Sequence, residues 1–162
     1  MFIAKKTEKG FTLIELIVFV TILSTILVTM AGFTVSIHRR LKINSHKVMA
    51  NFAGENLKEW LNSRRLSNWP ELQAMATPVA SPPQTYCANN QINLSDDIST
   101  VFTSGACSNY DGITGISPQI FKRELSLIKD PSGTVTSKIT VFWLEDGVTY
   151  NVVFSSVYSF WQ

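Results

Sequence analysis

The sequence predicts an α+β protein, with one long N-terminal helix packed on a C-terminal antiparallel sheet. Three observations carry this. The stretch Leu16–Ile37 contains no charged residue and is long enough for a membrane-crossing helix, which needs about 20 apolar residues. Helical periodicity continues beyond it, from Leu41 to about Leu66. The last third alternates apolar and polar residues at period two, between tight-turn signals, as half-buried strands do.

The elements follow in order. In hydrocarbon every backbone polar group must be paired within the segment, so the apolar run can only be helical. Past it, Val48, Met49, Phe52, Ala53, Leu57, Trp60 and Leu61 recur at steps of three and four, and the stripe through Phe52 and Trp60 is expected to be a domain core. Lys47, Glu55, Lys58, Glu59 and Arg64 can take the other side. Asn68-Trp69-Pro70 is the expected stop, because a residue before proline avoids the α region. Gly32 and Gly54 are expected weak points, each about 1 kcal/mol poorer than Ala in a helix. Glu71–Tyr86, with Pro78, Pro82 and Pro83, reads as an irregular connection. Asn89–Asp111 is polar and reads as a surface loop with room for one short strand or helix. Phe121–Ile128 is a strand, and Asp130-Pro131-Ser132-Gly133 a turn. Val135, Ser137, Ile139, Val141 and Trp143 form one face of the next strand. Glu145-Asp146-Gly147 is a second turn. Val148, Tyr150, Val152 and Phe154 alternate in a third strand that runs toward Trp161. Three such strands make a meander, and one face of it would cover the amphipathic half of the helix.

Glu15 stands out as a lone carboxylate at the start of the apolar run. It follows Lys9-Gly10-Phe11-Thr12-Leu13-Ile14, and a short basic leader precedes that. The block Gly10-Phe11-Thr12-Leu13-Ile14-Glu15 resembles the processing site of type IV prepilins and pseudopilins. The resemblance implies cleavage after Gly10 by a membrane peptidase, N-methylation of Phe11, and an assembly role for Glu15 as the fifth mature residue. It covers the first quarter of the chain. A secretory signal peptide would have a shorter apolar run and an Ala-x-Ala site, and an uncleaved anchor would not require Glu15. The helix-plus-meander reading, reached separately, matches the type IV pilin fold.

The domain organisation expected is a leader at 1–10, a transmembrane or filament-core helix at 11–37, and a soluble head at 38–162 that includes the amphipathic half of the helix. The 162 residues carry a formal charge of +2. The leader, with Lys5, Lys6, Lys9 and Glu8, accounts for that excess, so the charge gives no support for a nucleic-acid partner. Lys5, Lys6 and Lys9 before the run favour a cytoplasmic N-terminus, while His38, Arg39, Arg40 and Lys42 behind it argue the other way. The resemblance implies the former: a single pass of the inner membrane with a periplasmic head, and later a place in a surface filament. In that exported setting the two cysteines, Cys87 and Cys107, are expected to form a disulfide. Both precede the meander, whereas in many major pilins the disulfide encloses a region near the C-terminus. That points to a minor pilin or a pseudopilin.

No catalytic pattern emerges. His38 and His46 are too far apart along a helix to share a metal. No Ser-His-Asp, Cys-His or nucleotide-binding arrangement is present. Asp96, Asp97 and Asp111 lack the spacing of a calcium loop. The basic cluster from His38 to Lys47 suits lipid headgroups or partner subunits better than DNA. The expectation is a structural subunit without cofactor or metal: a minor pilin of a type IV pilus, or alternatively a pseudopilin of a type II secretion system, or a ligand-binding pilin for adhesion or DNA uptake. The implied partners are the prepilin peptidase/methyltransferase, other pilin or pseudopilin subunits, and an assembly platform in the inner membrane.

Overall fold

The structure, a computed structural model, describes residues 10, 12–110 and 112–159. It comprises two compact units that meet between Lys42 and Ile43. Helix α1 (Leu13–Ser67) contributes to both.

In the first unit no described residue is buried, and the chain is long and apolar enough here to cross a membrane. Five of its hydroxyls are satisfied within the helix. Thr21, Ser24, Thr25, Thr29 and Thr34 each donate to a carbonyl three or four residues back, at 2.7–2.9 Å. Such back-bonding lets polar side chains sit in an apolar run without an unpaired donor.

In the second unit the helix buries His46, Ala50, Ala53, Gly54, Leu57, Trp60 and Leu61. This corrects the expected stripe. Trp60 is fully buried, but Val48 is 67% and Phe52 62% exposed. At about 100° per residue, Val48 and Phe52 fall on the side opposite Ala50, Gly54 and Leu57. The small residues Ala50, Ala53 and Gly54 define the packed face, because they let the helix approach the sheet closely.

Helix α1 does stop at Ser67, but the expected irregular stretch is not all irregular. Helix α2 (Trp69–Met75) begins at once, with Asn68 as N-cap and Pro70 in its first turn. Asn68 Oδ1 accepts the Glu71 N–H at 3.4 Å, and Asn68 Nδ2 donates to Glu71 Oε2 at 2.7 Å. An Asn cap, an early proline and an acidic third residue are ordinary start signals; reading Trp69-Pro70 only as a stop concealed them. Then come β1 (Thr77–Pro78), β2 (Thr85–Cys87), α3 (Ile98–Val101) and β3 (Thr103–Ser104).

The meander matches its sequence pattern: β4 (Phe121–Lys129), β5 (Val135–Glu145) and β6 (Val148–Tyr158). The strands lie in the order β3-β2-β4-β5-β6. These pairings are antiparallel. Strand β1 alone pairs in parallel, with β4, and shares with β2 the edge of β4 that β5 does not cover. The β4–β5 turn is held by Asp130, whose Oδ1 accepts from the Ser132 hydroxyl at 2.6 Å and the Thr134 N–H at 2.9 Å. Between β5 and β6, Asp146 and Gly147 both have positive φ, 49° and 77°, which suits the twist of a two-residue hairpin. On β5 Val135, Ser137, Ile139, Val141, Trp143 and Glu145 are buried, with polar or half-buried residues between them. With Phe121, Leu125 and Leu127 of β4, the apolar members join Leu57, Trp60 and Leu61 in one core.

Candidate processing and assembly site

Of the residues singled out at the N-terminus, Glu15 lies in the first turn of α1 and Gly10 precedes the helix. Gly10 is exposed, and a side chain at its position would meet no other atom within 4 Å. Phe11, expected to become the first mature residue, lies outside the described residues, as do Lys5, Lys6, Glu8 and Lys9. Glu15 is exposed and engaged with Thr12. Its Oε2 accepts the Thr12 N–H at 3.3 Å and the Thr12 hydroxyl at 3.2 Å, while Thr12 Oγ1 accepts the Glu15 N–H at 3.4 Å. The Leu16 N–H donates to Thr12 O at 3.2 Å, the first bond of the helical ladder. This is a capping box: a Thr N-cap and a Glu three residues later satisfy each other's backbone N–H groups. The pattern Thr12-x-x-Glu15 was readable in the sequence. The carboxylate therefore has a local task, closing the first turn of α1, alongside any pairing with the amine that cleavage at Gly10 would create.

Cys87 and Cys107 are joined by a disulfide with Cα atoms 4.8 Å apart. Cys87 lies on β2, paired with Glu124 of β4 on one side and Thr103 of β3 on the other, so the bond ties the polar excursion back to the sheet. Lys122 secures the same end. Its Nζ lies 3.3 Å from Glu124 Oε1, donates to Cys107 O at 3.4 Å, and sits over the Tyr110 and Phe142 rings, 5.2 and 5.0 Å from their centroids. Glu124 Oε1 also accepts the Cys107 N–H at 3.2 Å.

The histidines are not brought together. His38 is exposed. His46 is buried, edge-on to Phe121, with Nδ1 2.5 Å from Glu145 Oε2. Asp96 accepts from the Asn93 backbone and side-chain N–H groups, Asp97 lies 3.6 Å from Arg64, and Asp111 is outside the described residues. Among the described residues, no group of three His, Cys, Asp or Glu side chains is placed to hold a metal.

Sequence reasoning missed Arg123, a buried cation at 2% exposure on β4. Its Nε donates to Ala88 O at 2.8 Å, Nη1 to Ala53 O at 2.8 Å and Nη2 to Asn90 O at 3.2 Å. It thus links the helix, the sheet and the residues after Cys87. Burial pushes its pKa down to about 9, so it remains a cation at neutral pH. An arginine inside a strand of alternating apolar residues is the signal that was available.

The chain opens on an apolar helical segment whose first turn is closed by Glu15, and in its second unit the helix packs on a mainly antiparallel sheet, an α+β arrangement. Residues 5–31 match the family model of the prokaryotic N-terminal methylation motif. The motif supports a type IV pilin-like protein and a processed subunit of pilin or pseudopilin type. The motif's family is structural rather than enzymatic. The motif and the apolar helix together suggest membrane anchoring before assembly. No curated protein and no solved structure matches the chain.

Proposed function

We propose that this protein is a structural subunit of a type IV pilus, a minor pilin. In this reading the precursor spans the inner membrane once, with its head in the periplasm. The prepilin peptidase removes residues 1–10 and methylates Phe11. An assembly platform then draws the helix at 11–37 into a filament core beside other pilin subunits, with residues 38–162 as the head. The observation that carries the proposal is the N-terminal methylation motif leading into an apolar helix without a buried residue. A disulfide wholly ahead of the meander suits a minor pilin and suits a pseudopilin of a type II secretion system equally. Which of the two systems is encoded beside this chain separates those readings.

Glu15 is assigned the assembly role. In a low-dielectric filament core its carboxylate attracts the charged Phe11 amine of a neighbouring subunit far more strongly than in water, which sets axial register. The capping box supplies the competing explanation, and one substitution separates the two. Glutamine keeps a capping box but has no charge. Glu15→Gln and Glu15→Ala are both expected to be cleaved normally and both to enter sheared filaments poorly at matched membrane levels. If Glu15→Gln enters as well as wild type, Glu15 acts as a cap and the charge-pairing role is wrong.

A further inference from the structure

Arg123 borders a cavity of about 140 Å³ lined by Phe52, Asn56, Asn90, Ile92, Ile113 and Thr114, among others. A guanidinium has five N–H donors, and the three bonds it makes to described side-chain or backbone acceptors all go to neutral carbonyls, which leaves two without a partner among the described residues. The longest bond, from Nη2, goes to Asn90, itself in the cavity wall. None of the ion pairs among the described residues includes Arg123. A buried cation costs several kcal/mol to desolvate, and buried charges are ordinarily paired. No described residue supplies the balancing anion, and one that enters the cavity would.

The cavity defines that anion. With a single cation and no lysine or second arginine in its lining, it suits a monoanion rather than a phosphate dianion. A planar carboxylate matches the fork of a guanidinium, and the Asn56 amide in the lining can add a donor. The Ile92, Ile113 and Phe52 side chains suit a short aliphatic stem. We propose that this cavity is a binding site for a carboxylate on such a stem, either a free small acid or an Asp or Glu side chain of an adjoining subunit. The second source would rest on the pilin reading; the site itself does not.

The test is calorimetric titration of the full-length chain in detergent micelles with propionate, against chloride at equal ionic strength and against neutral propionamide. Saturable binding of propionate in the millimolar range is expected, with none for propionamide. Asn56→Phe, an exposed helix position at the mouth, is expected to weaken it at least tenfold while unfolding with the same cooperativity. Equal binding of propionamide, no signal above chloride, or unchanged binding by Asn56→Phe would each overturn the site and leave Arg123 as a clamp beside water, of which about four molecules fit at roughly 30 Å³ each. In a parallel titration, N-acetyl-glutamate amide binding as well as propionate identifies a protein side chain as the source; binding of propionate alone identifies a free acid. All readouts use unassembled chain, so they stand or fall separately from filament entry.

Discussion

The Phe154 ring occupies the space that a side chain on Gly54 would need: two ring atoms lie 2.6 and 2.7 Å from the position of a Cβ there. Gly54 sits in the buried face of α1, and Phe154 is on β6, paired with Ile139 of β5. The sequence alone marks Gly54 as a flaw in a helix; the structure makes it a point of close approach between helix and sheet.

Two opposing effects decide what Gly54→Ala does. Alanine gains about 1 kcal/mol of helix propensity, while displacing the Phe154 ring costs about 1–3 kcal/mol. The substitution is expected to be destabilising in the wild type. With Phe154→Leu in the background it should become neutral or stabilising. Chemical denaturation of the four variants reads the coupling; stabilisation of the wild type by Gly54→Ala would refute the close approach.

Removing the disulfide with Cys87→Ser and Cys107→Ser is expected to destabilise the head by about 2–5 kcal/mol. The bond anchors β2 to the loop after β3, and Lys122 and Glu124 grip the same loop independently. The meander should therefore remain folded. Thermal unfolding with and without reductant measures the loss; no difference would mean that Lys122 and Glu124 hold the loop without the disulfide.

Asp130 gives a prediction in acid. The Ser132 hydroxyl, then the turn N–H groups, hold its carboxyl below the usual carboxylate range. A lowered folded pKa adds stability that is full above the unfolded value, near 4, and is lost as pH falls through the folded one. Hydrogen exchange at Thr134 N–H should accelerate, relative to strand amides, only below about pH 4, and Asp130→Asn should abolish that step. A step that persists in Asp130→Asn assigns it to another group.

The cap of α2 is a smaller, local case. Asn68→Ala removes the acceptor for Glu71 N–H and is expected to cost about 1 kcal/mol, with Asn68→Ser, which keeps an acceptor and a donor, close to wild type. Equal loss in both variants would show that the backbone, not the cap, fixes the break between α1 and α2.

The meander was legible because β5 and β6 are bounded by turns with fixed chemistry and repeat at period two with one wet face. The apolar half of α1 was legible from the absence of charge. The head half was misjudged at Val48 and Phe52, because large apolar residues drew the stripe and small ones were discounted. Yet Ala50, Ala53 and Gly54 are what close packing on a sheet requires. The partners of Arg123 and its cavity were not legible, since they depend on bringing Ala53, the Ala88–Asn90 stretch and Arg123 together from three distant parts of the chain. At the N-terminus the motif around Gly10 and Glu15 was plain, but the family pattern obscured the elementary one, the Thr12–Glu15 capping box.

The central claim is that this chain is processed as a pilin-type subunit, and the mass of the mature N-terminus tests it most directly. Protein purified from membranes of cells with an intact peptidase should begin at Phe11 and carry one methyl group on its amine. An intact Met1, or an N-terminus created by cleavage beyond Ile37, would contradict the account.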